Sequence, residues 1–145
     1  MSLVRVYLDA DGLLDLATPT TAQNQEELKL ISAALDRGRL LFVTSEITIA
    51  ETPVHAVRNR EAKREALIRS FLTPSHYTET RQVTLQIIED ALTLRTVYNL
   101  RTPDAIHIAT GTEAGCHEFL TKDAKWSTIG LKLLAVSELA NRFRD

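Results

Sequence analysis

The sequence predicts an α/β domain built on a mainly parallel sheet that helices cover on both faces. Two observations carry that prediction. Short apolar runs of strand length alternate with longer segments whose apolar residues recur every three or four positions. No hairpin signal joins the early strands, so crossover helices must connect them, as parallel strands require. A third observation bounds the size: across 145 residues no repeat, low-complexity tract or Pro/Gly/Ser linker divides the chain, so residues 1–145 read as a single domain.

Taken in order, Leu3–Asp9 is a buried strand, and Asp11-Gly12 turns it into a short helix, Leu13–Leu16. Thr18-Pro19-Thr20-Thr21 is a loop. Glu26–Arg37 carries Leu28, Ile31 and Leu35 at helical spacing and stops at Gly38. Leu40–Thr44 is the second strand, with Ser45 placed to cap the next helix. In that helix Ile47, Ala50, Val54 and Val57 form an apolar face, and Pro53 should kink it by removing a backbone hydrogen bond and crowding the preceding turn. A helix from Arg60 to Leu72, a short strand at His76–Thr80 and a long helix at Val83–Val97 follow. Thr102-Pro103-Asp104 is a strong helix start: a capping hydroxyl, proline at the first position and an acid in the first turn. That helix ends at Gly115. Glu118–Lys122 and Leu131–Val136 are strands, and Ser137 caps a final short helix.

Composition is that of an ordinary globular protein, 44% hydrophobic and 25% charged. A single cysteine, Cys116, excludes an intrachain disulfide and a Cys-based zinc site and fits a reducing cytosol. Arg5 and Asp9 interrupt the only apolar run near the N-terminus, so no signal peptide and no membrane span are expected, and the location expected is cytoplasmic. A formal net charge of −2 gives no global signature of a nucleic-acid binder. Basic residues do concentrate at Arg58, Arg60, Lys63 and Arg64, which reads equally as a solvated helix face or an RNA-contact patch.

The chemistry points to four acids. Asp9 and Asp123 follow apolar runs at strand ends, Asp104 opens a helix, and Glu51 stands one helical turn above the end of the second strand. Ligands of open parallel sheets bind at the carboxyl ends of the strands. Two unit charges 4 Å apart at an effective dielectric near 20 cost about 4 kcal/mol, so a cluster there is tolerated if a divalent cation fills it. All-oxygen ligation suits Mg²⁺ or Mn²⁺. Each acid singly has an ordinary structural reading as a turn, boundary or dipole residue, and their joint placement makes the case. Asp11 suits the cap of the following helix better than direct ligation. His107, three residues after Asp104, reads as a packed or capping histidine before a ligand. His55, His76 and His117 read as surface residues. No Gly-rich phosphate loop or nucleophile elbow is present.

The blocks Val6–Asp11, Ser45–Glu51, Leu100–Thr110 and Phe119–Asp123, in that order, resemble the PIN-domain ribonucleases, and among them the prokaryotic VapC-type toxins. The resemblance spans essentially the whole chain, and Leu100–Thr110 is its most specific part. It implies a three-layer α/β/α PIN-like fold with a mostly parallel five-stranded sheet, and RNA cleavage dependent on Mg²⁺ or Mn²⁺. By motif position it implies Asp9 and Asp104 as principal metal ligands, Glu51 and Asp123 completing the acidic site, and Thr121 supplying a supporting hydroxyl. Asp11 stands where asparagine is common, which keeps a capping function and adds charge. The resemblance further implies a small antitoxin that inserts a basic side chain among the carboxylates, and a homodimer. Two alternatives stand beside it. Asp9-Ala10-Asp11-Gly12 imitates the nucleophile loop of haloacid-dehalogenase-like phosphatases, with Asp9 as nucleophile, Asp11 as acid/base and Thr44 as hydroxyl, although Asp123 lacks a second nearby aspartate. The other is a catalytically silent PIN-like module that binds RNA or protein.

Overall fold

The structure, a computed structural model, describes residues 3–18, 21–75 and 77–144. The elements run β1 (Val4–Leu8), α1 (Ala10–Ala17), α2 (Ala22–Asp36), β2 (Leu40–Ser45), α3 (Ile47–Glu51), α4 (Val54–Arg58), α5 (Ala62–Leu72), β3 (Thr78–Arg81), α6 (Leu85–Tyr98), α7 (Thr102–Glu113), β4 (Glu118–Leu120), a 3-10 helix (Ala124–Ile129), β5 (Lys132–Leu134) and α8 (Val136–Arg142). The five strands form one sheet in the order β3-β2-β1-β4-β5. All four pairings are parallel, which sharpens the mostly parallel expectation.

Alternation along the strands divides the core into two layers. Val6 and Leu8 of β1, Phe42 of β2 and Leu120 of β4 pack with Leu13, Ile31, Ile68 and Leu139 from α1, α2, α5 and α8. Tyr7, Val43 and Phe119 face the other way, towards Ile108 of α7 and Trp126 of the 3-10 helix. α6 lies outside α7 and covers it with Ile87 and Ala91. Gly111 lets α7 sit this close to the sheet, because a Cβ there would lie 2.5 Å from the Phe119 ring and 3.0 Å from Tyr7. Gly38 and Gly115, both at positive φ, follow α2 and α7 and stop them.

Several boundaries differ from the sequence reading for local reasons. α2 starts at Ala22, four residues earlier, because Thr21 accepts a hydrogen bond from the Asn24 amide at 3.1 Å and supplies the cap that apolar spacing could not reveal. The break at Pro53 is complete, giving two helices, α3 and α4, instead of one kinked helix. Ser45 ends β2 and Glu46 occupies the cap position of α3, while the Ser45 hydroxyl accepts from the amide of the helix's first residue, Ile47, at 3.2 Å. Arg101 occupies the cap position of α7, so Thr102 and Pro103 are already helical. Ala135 holds that position in α8, its amide donating to Glu138 at 3.1 Å, and Ser137 lies inside the helix. β4 closes at Leu120, short of Lys122. The third strand is Thr78–Arg81; His76 lies outside the described residues, as do Pro19 and Thr20 of the expected loop.

Glu118 ties β4 to α8 and β5. Arg142 donates to both of its carboxylate oxygens at 2.5 Å, and Lys132 lies 3.1 Å away. These hydrogen bonds, Arg142 first, hold its pKa down from 4.5 to about 2. A depressed acid contributes stability above its unfolded pKa and loses it as pH falls through the folded value. Glu118→Gln should therefore cost about 1–2 kcal/mol near neutral pH, a figure discounted for the partly exposed cations. The difference from wild type should vanish as pH falls towards 2 in urea denaturation. An unchanged midpoint near neutral pH would contradict it.

Candidate active site

From β1 the chain winds outward through β2 to β3, then returns to the opposite side of β1 to lay down β4 and β5. The order reverses at β1, and the crevice at the carboxyl ends of the strands at such a reversal is where open α/β sheets take ligands. Parallel register sets Leu8 of β1 beside Leu120 of β4, so the residues that follow each of them, Asp9 and Thr121, emerge side by side.

Asp9 is buried and both carboxylate oxygens are engaged. Oδ1 accepts from the Gly12 amide at 2.8 Å, and Oδ2 accepts from the Thr121 hydroxyl. Asp9 is thus itself the cap of α1. This corrects the capping role expected of Asp11, which lies exposed in the first turn of α1. A capping side chain must come from the non-helical residue before the helix, and the helix begins one position before Asp11. Thr121 extends the connection by accepting from the Asp123 amide at 3.1 Å, and Asp123 caps the 3-10 helix through the Lys125 amide at 3.1 Å.

Asp104 stands in the first turn of α7. Burial, followed by the charge of Asp123, raises its pKa, and the exposed Arg101 at 3.7 Å only partly compensates. Burial raises the pKa of Asp9 as well, against the opposing hydrogen bonds from Thr121 and Gly12. In both acids burial is the main reason the ionised form is disfavoured. Glu51, the last residue of α3, is linked to this group indirectly: its Oε1 lies 2.6 Å from Nε2 of His107, one turn along α7 from Asp104. His107 is buried, and its Nδ1 lies 2.6 Å from the Tyr7 hydroxyl. His55 and His117 are exposed.

Among the described residues no three Asp, Glu, His or Cys side chains gather closely enough to form a ready-made metal cage. Mg²⁺ does not need one, since it characteristically takes one or two carboxylates and keeps several waters. Asp9 and Asp104 are hard-oxygen donors of the kind that requirement calls for, and they would be the residues to hold such an ion. Beside the crevice, a cavity of about 490 Å³ is lined by Leu14, Asp15, Thr18, Asn24, Leu28, Lys122 and Val136. Lys122 pairs with Asp15 at 2.8 Å, and Arg64 donates to Thr18 at 3.1 Å. The Thr44 hydroxyl that a phosphatase would require is committed inside the fold, donating to the Leu8 carbonyl at 2.7 Å and bonding Thr48 at 2.9 Å.

Gly12 is the tightest point of the site. A Cβ there would lie 1.9 Å from the Leu120 carbonyl oxygen, which is backbone and cannot turn aside. Gly12→Ala should force α1 away from β4, cost about 1–3 kcal/mol and displace Asp9. A variant as stable as wild type in urea would contradict that packing.

The PIN domain family profile matches residues 6–132. Among solved structures, VapC20 of Mycobacterium tuberculosis, described as a sarcin–ricin loop cleaving toxin, aligns with a TM-score of 0.65 and 16% identity, covering 87% of this chain and 95% of that one. VapBC2 of Rickettsia felis, bound to a DNA fragment from its promoter, aligns with a TM-score of 0.69 and 14% identity over 91% and 98%. A toxin–antitoxin complex from Klebsiella pneumoniae aligns with a TM-score of 0.64 and 23% identity over 90% and 97%. No curated protein matches the chain.

Proposed function

The chain belongs to the PIN domain family, and on that premise we propose that it is a metal-dependent ribonuclease, the toxin of a toxin–antitoxin pair. The observation that carries the proposal is Asp9 at the order reversal of the sheet, joined through Thr121 to Asp123, whose charge reaches Asp104. In this reading Asp9 and Asp104 hold Mg²⁺ or Mn²⁺, while Glu51 and Asp123 accept hydrogen bonds from the attacking water. Thr121 fixes Asp9 by donating to its Oδ2 and braces the loop that carries Asp123. Bound there, the cation would polarise the phosphoryl oxygens and lower the pKa of water. No side chain needs to attack the phosphodiester. Asp11 contributes charge at the rim.

Lys122 and Arg64, at the edge of the adjoining cavity, supply positive charge along which an RNA backbone could run. A small antitoxin partner is supported by the toxin–antitoxin complexes with this fold, and in this reading it would silence the site with a basic side chain among the acids. A homodimer is supported by α6, whose outward side leaves Leu85, Ile88 and Leu92 exposed. No helix among the described residues is long and apolar enough to cross a membrane, which is consistent with the proposed cytoplasmic location. The test is cleavage of labelled RNA by the pure protein. Cleavage should need Mg²⁺ or Mn²⁺, stop in EDTA and return when either ion is added back. Undiminished cleavage in EDTA would overturn the metal mechanism.

A further inference from the structure

We propose that Tyr7 and His107 form a positioning pair that fixes the Glu51 carboxylate at the acidic site; the proposal rests on the ribonuclease reading only for its effect on rate. Both side chains are buried, and both ring nitrogens of His107 are occupied, Nδ1 by the Tyr7 hydroxyl and Nε2 by Glu51 Oε1, each at 2.6 Å. Proton counting orients the chain. With Glu51 ionised it can only accept, so Nε2 would carry a hydrogen; with the imidazole neutral, its single N–H is then spent, Nδ1 would accept and Tyr7 would donate.

Glu51 needs such an anchor. It ends a five-residue helix, and Thr52 and Pro53 separate it from α4. A glutamate side chain held in one rotamer gives up about 1.5–2 kcal/mol of conformational entropy, so an unanchored carboxylate at a broken helix end would sample many positions. The His107 ring is itself fixed, lying edge-on to Tyr7 with centroids 5.7 Å apart and 6.3 Å from Trp126. α7 thereby places Asp104 directly and Glu51 through His107.

Two measurements on the full chain test this. The first is ¹⁵N NMR of the histidine rings, with His107 assigned by its absence in His107→Gln. The Nε2–H form is expected in wild type, with its shifts moved by Glu51→Gln and by Tyr7→Phe. An Nδ1–H form, or His107 resonances untouched by Glu51→Gln, would overturn the pair whether or not the protein cleaves RNA. The second is RNA cleavage kinetics. Tyr7→Phe should lower kcat about tenfold with KM little changed. His107→Gln, which keeps an N–H donor near the Nε2 position, should retain more activity than His107→Leu. In a Glu51→Gln background Tyr7→Phe should cost less than about twofold, since its effect runs through Glu51. An equal loss in both backgrounds would show that Tyr7 acts by stability alone and would overturn the positioning role. A wild type that cleaves no RNA would overturn the ribonuclease reading, while the NMR result still decides the pair.

Discussion

Asp104→Asn and Asp9→Asn are each expected to lower RNA cleavage by ~10³-fold or more, a loss of about 4 kcal/mol in transition-state stabilisation, while the fold persists. Each amide is nearly isosteric with the acid it replaces and lacks the charge that would hold a cation. Asparagine caps helices about as well as aspartate, so Asp9→Asn keeps the bond from Gly12. The sign of the stability effect follows from the raised pKa values of both acids. An acid whose folded pKa is raised favours the folded state only while it is protonated, below its ordinary value, and that contribution is lost as pH rises through the folded value. In EDTA near neutral pH, removing either charge should leave the melting temperature equal to or above that of wild type. The advantage should shrink as pH falls towards the ordinary aspartate value of 3.8. A melting temperature several degrees lower in both variants would show that these acids are chiefly structural.

Asp11 is expected to behave differently from the other acids. It is exposed and Asp9 caps α1 in its place, so Asp11→Asn should retain cleavage to within about threefold. Glu51→Gln and Asp123→Asn should each lose about 10–100-fold, the range typical of groups that orient a metal site. The same three variants assayed on a phosphomonoester separate nuclease from phosphatase. Phosphomonoester turnover that disappears with Asp11→Asn, together with no RNA cleavage by wild type, would overturn the assignment.

The fold was legible because its cues are local. The apolar run Leu3–Leu8, the Thr102-Pro103-Asp104 helix start and the stops at Gly38 and Gly115 all lie in neighbouring residues, and the resemblance to PIN domains agrees with the match over residues 6–132. Boundaries slipped where two cues competed. Asp9 and Asp11 are both good caps, and only the helix start at Ala10 decides between them. The polar segment Ala22–Gln25 has no apolar spacing to mark it as helix. The site was partly legible: Asp9, Thr121 and Asp123 are joined by hydrogen bonds, and Asp104 feels the charge of Asp123. The link through His107 was not. Its partners are Tyr7, 100 positions away, and Glu51, 56 positions away, so no spacing rule could pair them. The one available cue was a histidine one turn beyond an acid on a helix packed against the sheet.

The most direct test of the cation site is a Mn²⁺ titration of the wild-type protein and Asp104→Asn, read by the electron paramagnetic resonance of the free ion. Saturable binding is expected in wild type, weakened at least about tenfold in the variant. Absence of saturable binding in wild type, or equal binding by both proteins, would contradict a metal site built on Asp9 and Asp104.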